Sequence, residues 1–274
     1  MKPKPLASLP FPKAPACSNV LLTPPSFQLL TLVLELSLAI ISVALLVGAS
    51  KGGLPGIGIL VVPIMAHIYP PKSSTGILLP MLLMADIMAV THYHRHANWK
   101  QLLKLLPSTL LGVVMSAALM SHLGQGDAKR AIGLIILCMS ILVMTKNKTQ
   151  RLSKFASKFS FSIIAGIAVG IATMMANAAG PIAAIYLLSL HLDKETFIGT
   201  RAWFFLIINA FKIPFSIGLG LISTETLMLN LKTVPFMILG VIVGIQLTKL
   251  ISNLWFSRIV LGLTLVSALK LLFL

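Results

Sequence analysis

Acidic residues are scarce in this chain. Six (Glu35, Asp86, Asp127, Asp193, Glu195 and Glu225) stand against 22 Lys plus Arg, and charged residues of both signs make up 10% of its 274 positions. A soluble domain carries roughly 25% charged residues, and a chain that is 57% hydrophobic has too little polar surface to cover itself in water. Also missing is the two-residue alternation by which barrel strands separate lipid from lumen. A helical integral membrane protein remains, in which each span satisfies its own backbone groups. Cys17 and Cys138 form no CxxC pair and no ligand cluster, which argues against a structural disulfide or zinc site. HExxH, GxSxG and Walker-type loops are absent and no two intramembrane acids are spaced for catalysis, so the chain is not expected to be an enzyme or to need a cofactor. The net charge of +16 does not point to nucleic acid. The bases sit at the ends of apolar runs, without aromatic residues between them, where they set topology and meet lipid headgroups.

What is present is a two-part organisation. Residues 1–28 are Pro- and Lys-rich and are expected to be a disordered tail; the apolar run that follows is too long for a signal core and is taken as the first span. Apolar segments fall at about 29–48, 54–70, 75–93, 101–122 and 130–145, closing a first repeat at residue 145. A basic linker, 146–158, separates them from a second repeat over 159–274, with segments at about 160–175, 181–191, 199–222, 228–250 and 256–273. A span needs about 20 residues, so the second segment of each set is short. Each short segment follows an interruption, ASKGGLPG at 49–56 and ANAAG at 176–180, in the manner of discontinuous helices. Whether they cross fully or re-enter is left open.

The halves resemble each other. A register of 128 residues sets Lys104, Pro107, Gly112 and Arg130 against Lys232, Pro235, Gly240 and Arg258, and one of 123 sets Gly76 and Asp86 against Gly199 and Asn209. An odd number of crossings per repeat inverts one half relative to the other. The expected fold is therefore an all-α membrane protein of two inverted repeats, each of about five helical segments with an interrupted helix pair near its start. Arg95, Lys100, Lys104, the bases of 146–158, Lys194, Arg201, Lys249 and Arg258 collect on one face. Lys2, Lys4, Lys13, Lys72, Lys129, Arg130, Lys232 and Lys270 collect on the other. The first set is the larger, which makes that face and the linker cytoplasmic and puts both termini outside.

Charges at bilayer depth cost about 2.5–3.5 kcal/mol each on insertion scales, so each needs a reason. Lys51, in the first interruption with Ser50, Gly52 and Gly53, combines an ammonium with glycine-freed amides and the N-terminus of a following helix, the ingredients of an anion site. Its plainer role is a surface anchor. Asn177 and Gly180 occupy the equivalent break, as cavity lining or as a tight turn. Asp86 is mid-segment, its counterpart is Asn209, and Lys212 lies one turn beyond Asn209 on the same helical face; the three line an internal cavity, or else Asp86 and Lys212 merely lock two helices. Glu35 either snorkels or carries a proton. His92 and His96 are spaced for a metal, but two ligands at a helix end make a weak site, so none is assigned and the run, with Trp99, is read as an interfacial cap.

GASKGGLPGIGILVVPIM from Gly48 to Met65, with Pro63 as its proline, resembles the first-half pattern of the TauE/SafE sulfite exporter family. GIAVGIATMMANAAGPIAAIYLL, followed by FIGTRAWFFLIINAFKIPF, is similar to its second repeat, with ANAAGP where a fuller glycine cluster is usual. The resemblance spans about residues 30–274. It implies transport of sulfite or a small organosulfonate, usually export, across a prokaryotic plasma membrane. Alternating access would place the anion among the Ser50–Gly53 break, the Asn177–Gly180 break and the Asn209/Lys212 helix. The alternative is a divalent-metal or other small-solute permease. Expected partners are a small anionic substrate and membrane lipid, with a homodimer left open. Anion identity, direction and proton or sodium coupling are not fixed by the sequence.

Overall fold

The computed structural model describes residues 25–54, 57–69, 71–119 and 159–252, together with 254–256, 258, 259, 261, 262 and 266. The linker 146–158, the segment 130–145 and most of the N-terminal tail lie outside these residues. Eight α-helices are described: α1 Pro25–Gly52, α2 Val61–Ile68, α3 Pro71–Tyr93, α4 Trp99–Leu119, α5 Phe159–Ala176, α6 Gly180–Ser189, α7 Lys194–Gly218 and α8 Thr224–Leu250. No strand occurs among the described residues. Among the described residues, four stretches are long and apolar enough to cross a bilayer: Ser74–His96, Trp99–Ala118, Lys194–Gly218 and Thr224–Leu250. The protein is a multi-pass, all-helical membrane protein.

Apolar tails give no hydrophobic reward for helix association, so helices in lipid gather where small residues let backbones approach. α1 packs on α8 in this way. Gly48 faces the Met237 carbonyl, the Val241 amide and Gly240, while Gly240 faces the Leu45 carbonyl and the Ala49 amide. One turn on, Gly52 meets the Val241 carbonyl and Gly244 the Ala49 carbonyl. α4 packs on α5 likewise: Gly170 faces the Thr109 carbonyl, the Val113 amide and Gly112, and Gly112 faces the Ile167 carbonyl. The 128-residue register that pairs Pro107 with Pro235 also pairs Thr109, Gly112 and Val113 with Met237, Gly240 and Val241. Both crossings are parallel, since contacts advance in the same direction along each pair.

α3 and α7 form the third large packing and run antiparallel, with Asp86 beside Asn209 and Tyr93 beside Gly199. One end of the molecule is tied where the turn after α3, the start of α7 and the end of α8 converge. There the Asn98 amide donates to Thr200 Oγ1 at 2.8 Å, Trp99 lies 5.1 Å from Trp203, and Lys194 Nζ donates to the Thr248 and Ile251 carbonyls, each at 2.9 Å. At the opposite end Gly76 rests on the Leu221 carbonyl and Asn230 Nδ2 donates to the Ile77 carbonyl at 3.1 Å.

The two short helices do not span. At 1.5 Å per residue, eight and ten residues reach only about 12 and 15 Å. α6 folds back along α5, held by the buried Ser162 hydroxyl and Tyr186 phenol at 2.9 Å. In the first half a 3-10 turn, Ile57–Leu60, precedes α2. Gly58 of that turn backs directly onto the Ser50 side chain.

Candidate functional site

The interruptions differ from the sequence expectation in where the helices stop. α1 runs through Lys51 to Gly52, so Lys51 occupies the last helical turn, at the negative end of the helix dipole, and a 3-10 turn rather than an α-helix follows. Gly53 ends the helix with φ of 138°, and the Leu54 amide closes back on the Ala49 carbonyl at 3.2 Å, as helix-terminating glycines do. Gly52 and Gly53 are required by packing. Their Cα hydrogens abut the Val241 carbonyl and the Thr248 side chain, so these positions face α8. α5 ends at Ala176, and Asn177 takes the left-handed conformation (φ 51°), which asparagine tolerates better than most residues.

The side chains that leave these breaks meet between α3 and α7. Lys51 Nζ forms an ion pair with Asp86 Oδ1 at 2.6 Å, and Asn209 Nδ2 donates to Asp86 Oδ2 at 2.7 Å. Lys212 does not pair with Asp86. Its Nζ donates to Asn177 Oδ1 at 2.6 Å, to the Thr173 carbonyl at 2.7 Å and to Thr173 Oγ1 at 3.2 Å. Asn177 Nδ2 donates to the Thr75 carbonyl at 3.3 Å, so this one side chain ties α3 and α7 to the second break. Lys51, Asp86, Asn209 and Lys212 are all buried, Lys212 completely.

The charge pattern sets Arg201 among the bases of the cytoplasmic face, whereas the structure buries it. It lies two turns inside α7 with 5% of its surface exposed, and its Nη1 donates to the Ser50 carbonyl at 3.0 Å. The phenol of Tyr93 donates to the Gly52 carbonyl at 3.1 Å. α7 and α3 thus cap carbonyls at the end of α1 that have no intrahelical partner. Phe205 carries two cations, Lys51 Nζ at 4.4 Å and Arg201 Cζ at 5.3 Å from its ring centroid. Sequence pattern gave no warning of Arg201, because a base seven residues into an apolar helix looks like a terminal anchor.

Among the predicted residues, Ser50 (through its carbonyl), Lys51, Asp86, Asn177, Asn209 and Lys212 come together, and Gly180 lies beside Arg201. Gly52 and Gly53 pack against α8 instead. Glu35 belongs to α1, but its side chain lies outside the described residues. His96 pairs with Glu195 at 3.1 Å on the exposed end, away from the buried cluster. Among the described residues no group of three His, Cys, Asp or Glu converges as a metal would need.

Three buried basic side chains, Lys51, Arg201 and Lys212, thus stand against one buried carboxylate among the described residues, Asp86, which Lys51 alone of the three contacts. Isolated charges at such depth are expensive, and here they face the meeting point of the two breaks rather than lipid. Such an arrangement favours a negative solute and repels a metal ion. No curated protein and no solved structure matches the chain. From residue 40 to residue 271 it matches the sulfite exporter TauE/SafE family, and to that family this chain belongs.

Proposed function

We propose that the protein is a secondary transporter that exports a small sulfur-containing anion, sulfite or an organosulfonate, across a prokaryotic plasma membrane by alternating access. The observation that carries this reading is the excess of buried positive charge: Lys51, Arg201 and Lys212 against Asp86 alone among the described residues. The anion would sit between the breaks, held by Lys212 and Asn177, with Lys51, Asp86 and Asn209 forming a neutral wall beside it. An inside-negative potential is worth about 2.3 kcal/mol per charge per 100 mV and drives a monoanion outward without another ion.

Two inverted halves rocking about the site supply the motion. Several features support that architecture. The repeat-related helices α3 and α7 are antiparallel, the Gly48 and Gly170 crossings use register-equivalent backbone atoms, and Asp86 touches its own counterpart. The Arg95, Lys100 and Lys249 end faces the cytoplasm on this reading, with the linker 146–158.

Efflux of sulfite from liposomes containing the purified protein tests the proposal. Sulfite should leave faster than from empty vesicles, and replacing Lys51 and Lys212 together by alanine should abolish the difference. Unchanged flux in that variant removes the site assignment. Flux of a divalent metal in place of any sulfur anion removes the function.

A further inference from the structure

We propose that Arg201 and the first turn of α6 form a second oxyanion station, in series with the one at Lys212 and Asn177, so that the protein holds two small anions at different depths along α7. The inference rests on the anion-transport reading above and adds a binding site to it.

The guanidinium of Arg201 is buried, and its bond to the Ser50 carbonyl uses one of five N–H donors. Its Nε has no hydrogen-bond partner. Nη2 points at the start of α6: a methyl placed on Gly180 would meet Arg201 Nη2 at 3.9 Å and, its chain neighbours and own helix backbone apart, no other atom of the described residues within 4 Å. α6 has ten residues, its N-cap Ala179 makes no side-chain hydrogen bond, and Pro181 has no N–H to offer. The Gly180 and Ile182 amides have no acceptor within the helix, whereas Ala183 already bonds to the Ala179 carbonyl at 3.0 Å. A helix N-terminus, an unfilled Nε and a forked cation thus converge on one open spot, which suits the several oxygens of a small oxyanion.

Charge and register agree with a ligand role. Asp86 is the only buried acid among the described residues and is engaged by Lys51. The Phe205 ring attracts Lys51 and Arg201 but cannot neutralise them. In the 123-residue register the counterpart of Arg201 is Leu78, also buried, so packing at that position is met by an apolar side chain and does not call for a guanidinium.

The two stations are separate. Arg201 docks at the end of α1 and Lys212 at the end of α5. Eleven residues part their backbones on α7, a rise of about 16 Å, while at the second break Asn177 and Gly180 are three residues apart and at most about 11 Å from each other. One sulfite, a few ångströms across, spans only part of that.

Equilibrium dialysis of radiolabelled sulfite against the purified full-length protein, at saturation, counts the stations. The wild type should bind two sulfites per chain, and Arg201→Gln and Lys212→Gln one each. Arg201→Lys, which keeps the charge but loses the fork, should still bind a second sulfite about tenfold more weakly. One sulfite per wild-type chain overturns the second station and leaves the transport reading standing; none overturns both. Retention of two by Arg201→Gln also overturns it. If Arg201→Gln does not fold, the wild-type count and Arg201→Lys decide.

Discussion

Asn209 donates to Asp86 across 2.7 Å, and these are the residues that the 123-residue register sets opposite each other. In the proposed inverted arrangement, equivalent positions can touch only on the axis relating the halves, so this hydrogen bond lies at the centre of the site. The second carboxylate that a perfect repeat would put there is replaced by a neutral amide. Two carboxylates at that spacing would repel, whereas an amide donates to the one that remains and leaves its other oxygen to Lys51. Divergence of the halves at this pair turns a symmetric scaffold into a polarised site.

The Lys51–Asp86 pair should be a strong mutual dependence rather than a source of net stability. Removing one partner of a buried ion pair costs about 3–5 kcal/mol, because the other charge is left uncompensated, while replacing both by apolar residues is often neutral. Lys51→Met and Asp86→Leu alone should each lower the unfolding midpoint in detergent, and the double variant should recover most of the loss. A double variant as unstable as the sum of the singles would mean that the two side chains do not act as a pair.

Much of this was legible from sequence, for physical reasons. Composition forced a helical membrane protein, and Gly112 and Gly240, paired by the repeat register, turn out to lie where α4 crosses α5 and α8 crosses α1. The polar residues of the breaks stood out because charge is costly in lipid. Partner choice was not legible. Lys212 shares a helical face with Asn209, yet reaches back to α5, because the end of α5 supplies the nearer oxygens. Arg201 escaped notice because helix-end distance read along the chain says nothing of which neighbour buries a side chain.

The glycine crossings should be intolerant of a single methyl. A Cβ on Gly48 or Gly170 meets backbone carbonyl oxygen, which cannot rotate away, and overpacking of this kind costs about 1–3 kcal/mol. Gly48→Ala and Gly170→Ala should therefore each reduce stability by that amount. Gly218→Ala, at a position with no atom within 4 Å, should be neutral or stabilising by a few tenths. Thermal melts of the three variants in one detergent make the comparison; equal behaviour of Gly48→Ala and Gly218→Ala would contradict the packing.

Asp193 caps α7, accepting from the Thr196 amide at 3.0 Å. Hydrogen bonding by the Thr196 side chain, and then by its amide, holds the Asp193 carboxyl below the usual carboxylate range. A depressed folded-state value contributes stability that is present above the unfolded carboxylate value, about 3.9, and lost as pH falls through the folded one. Asp193→Ala should cost about 1 kcal/mol at neutral pH. That cost should begin to shrink below about pH 4, where the carboxyl of the unfolded chain takes up a proton, and vanish once the pH falls below the depressed folded-state value. Unfolding curves at pH 7 and pH 3 carry the test, and a cost that does not change with pH would remove the carboxylate from the cap.

Asn177 offers a way to separate fold from function at the Lys212 station. Its Oδ1 already accepts from Lys212 Nζ at 2.6 Å, so Asn177→Asp changes a neutral acceptor into a resident counter-ion without changing side-chain size, and aspartate also tolerates the left-handed backbone there. A charge-assisted bond is roughly twice as strong as a neutral one. The variant gains that bond but loses the Nδ2 donation to the Thr75 carbonyl, and should therefore melt near the wild-type temperature. A substrate anion would have to displace the new carboxylate, and sulfite transport should fall at least about tenfold, equivalent to about 1.4 kcal/mol. A structural role for Lys212 alone predicts a folded variant with transport untouched, and that result, measured in liposomes beside the wild type, would take Lys212 out of the anion path.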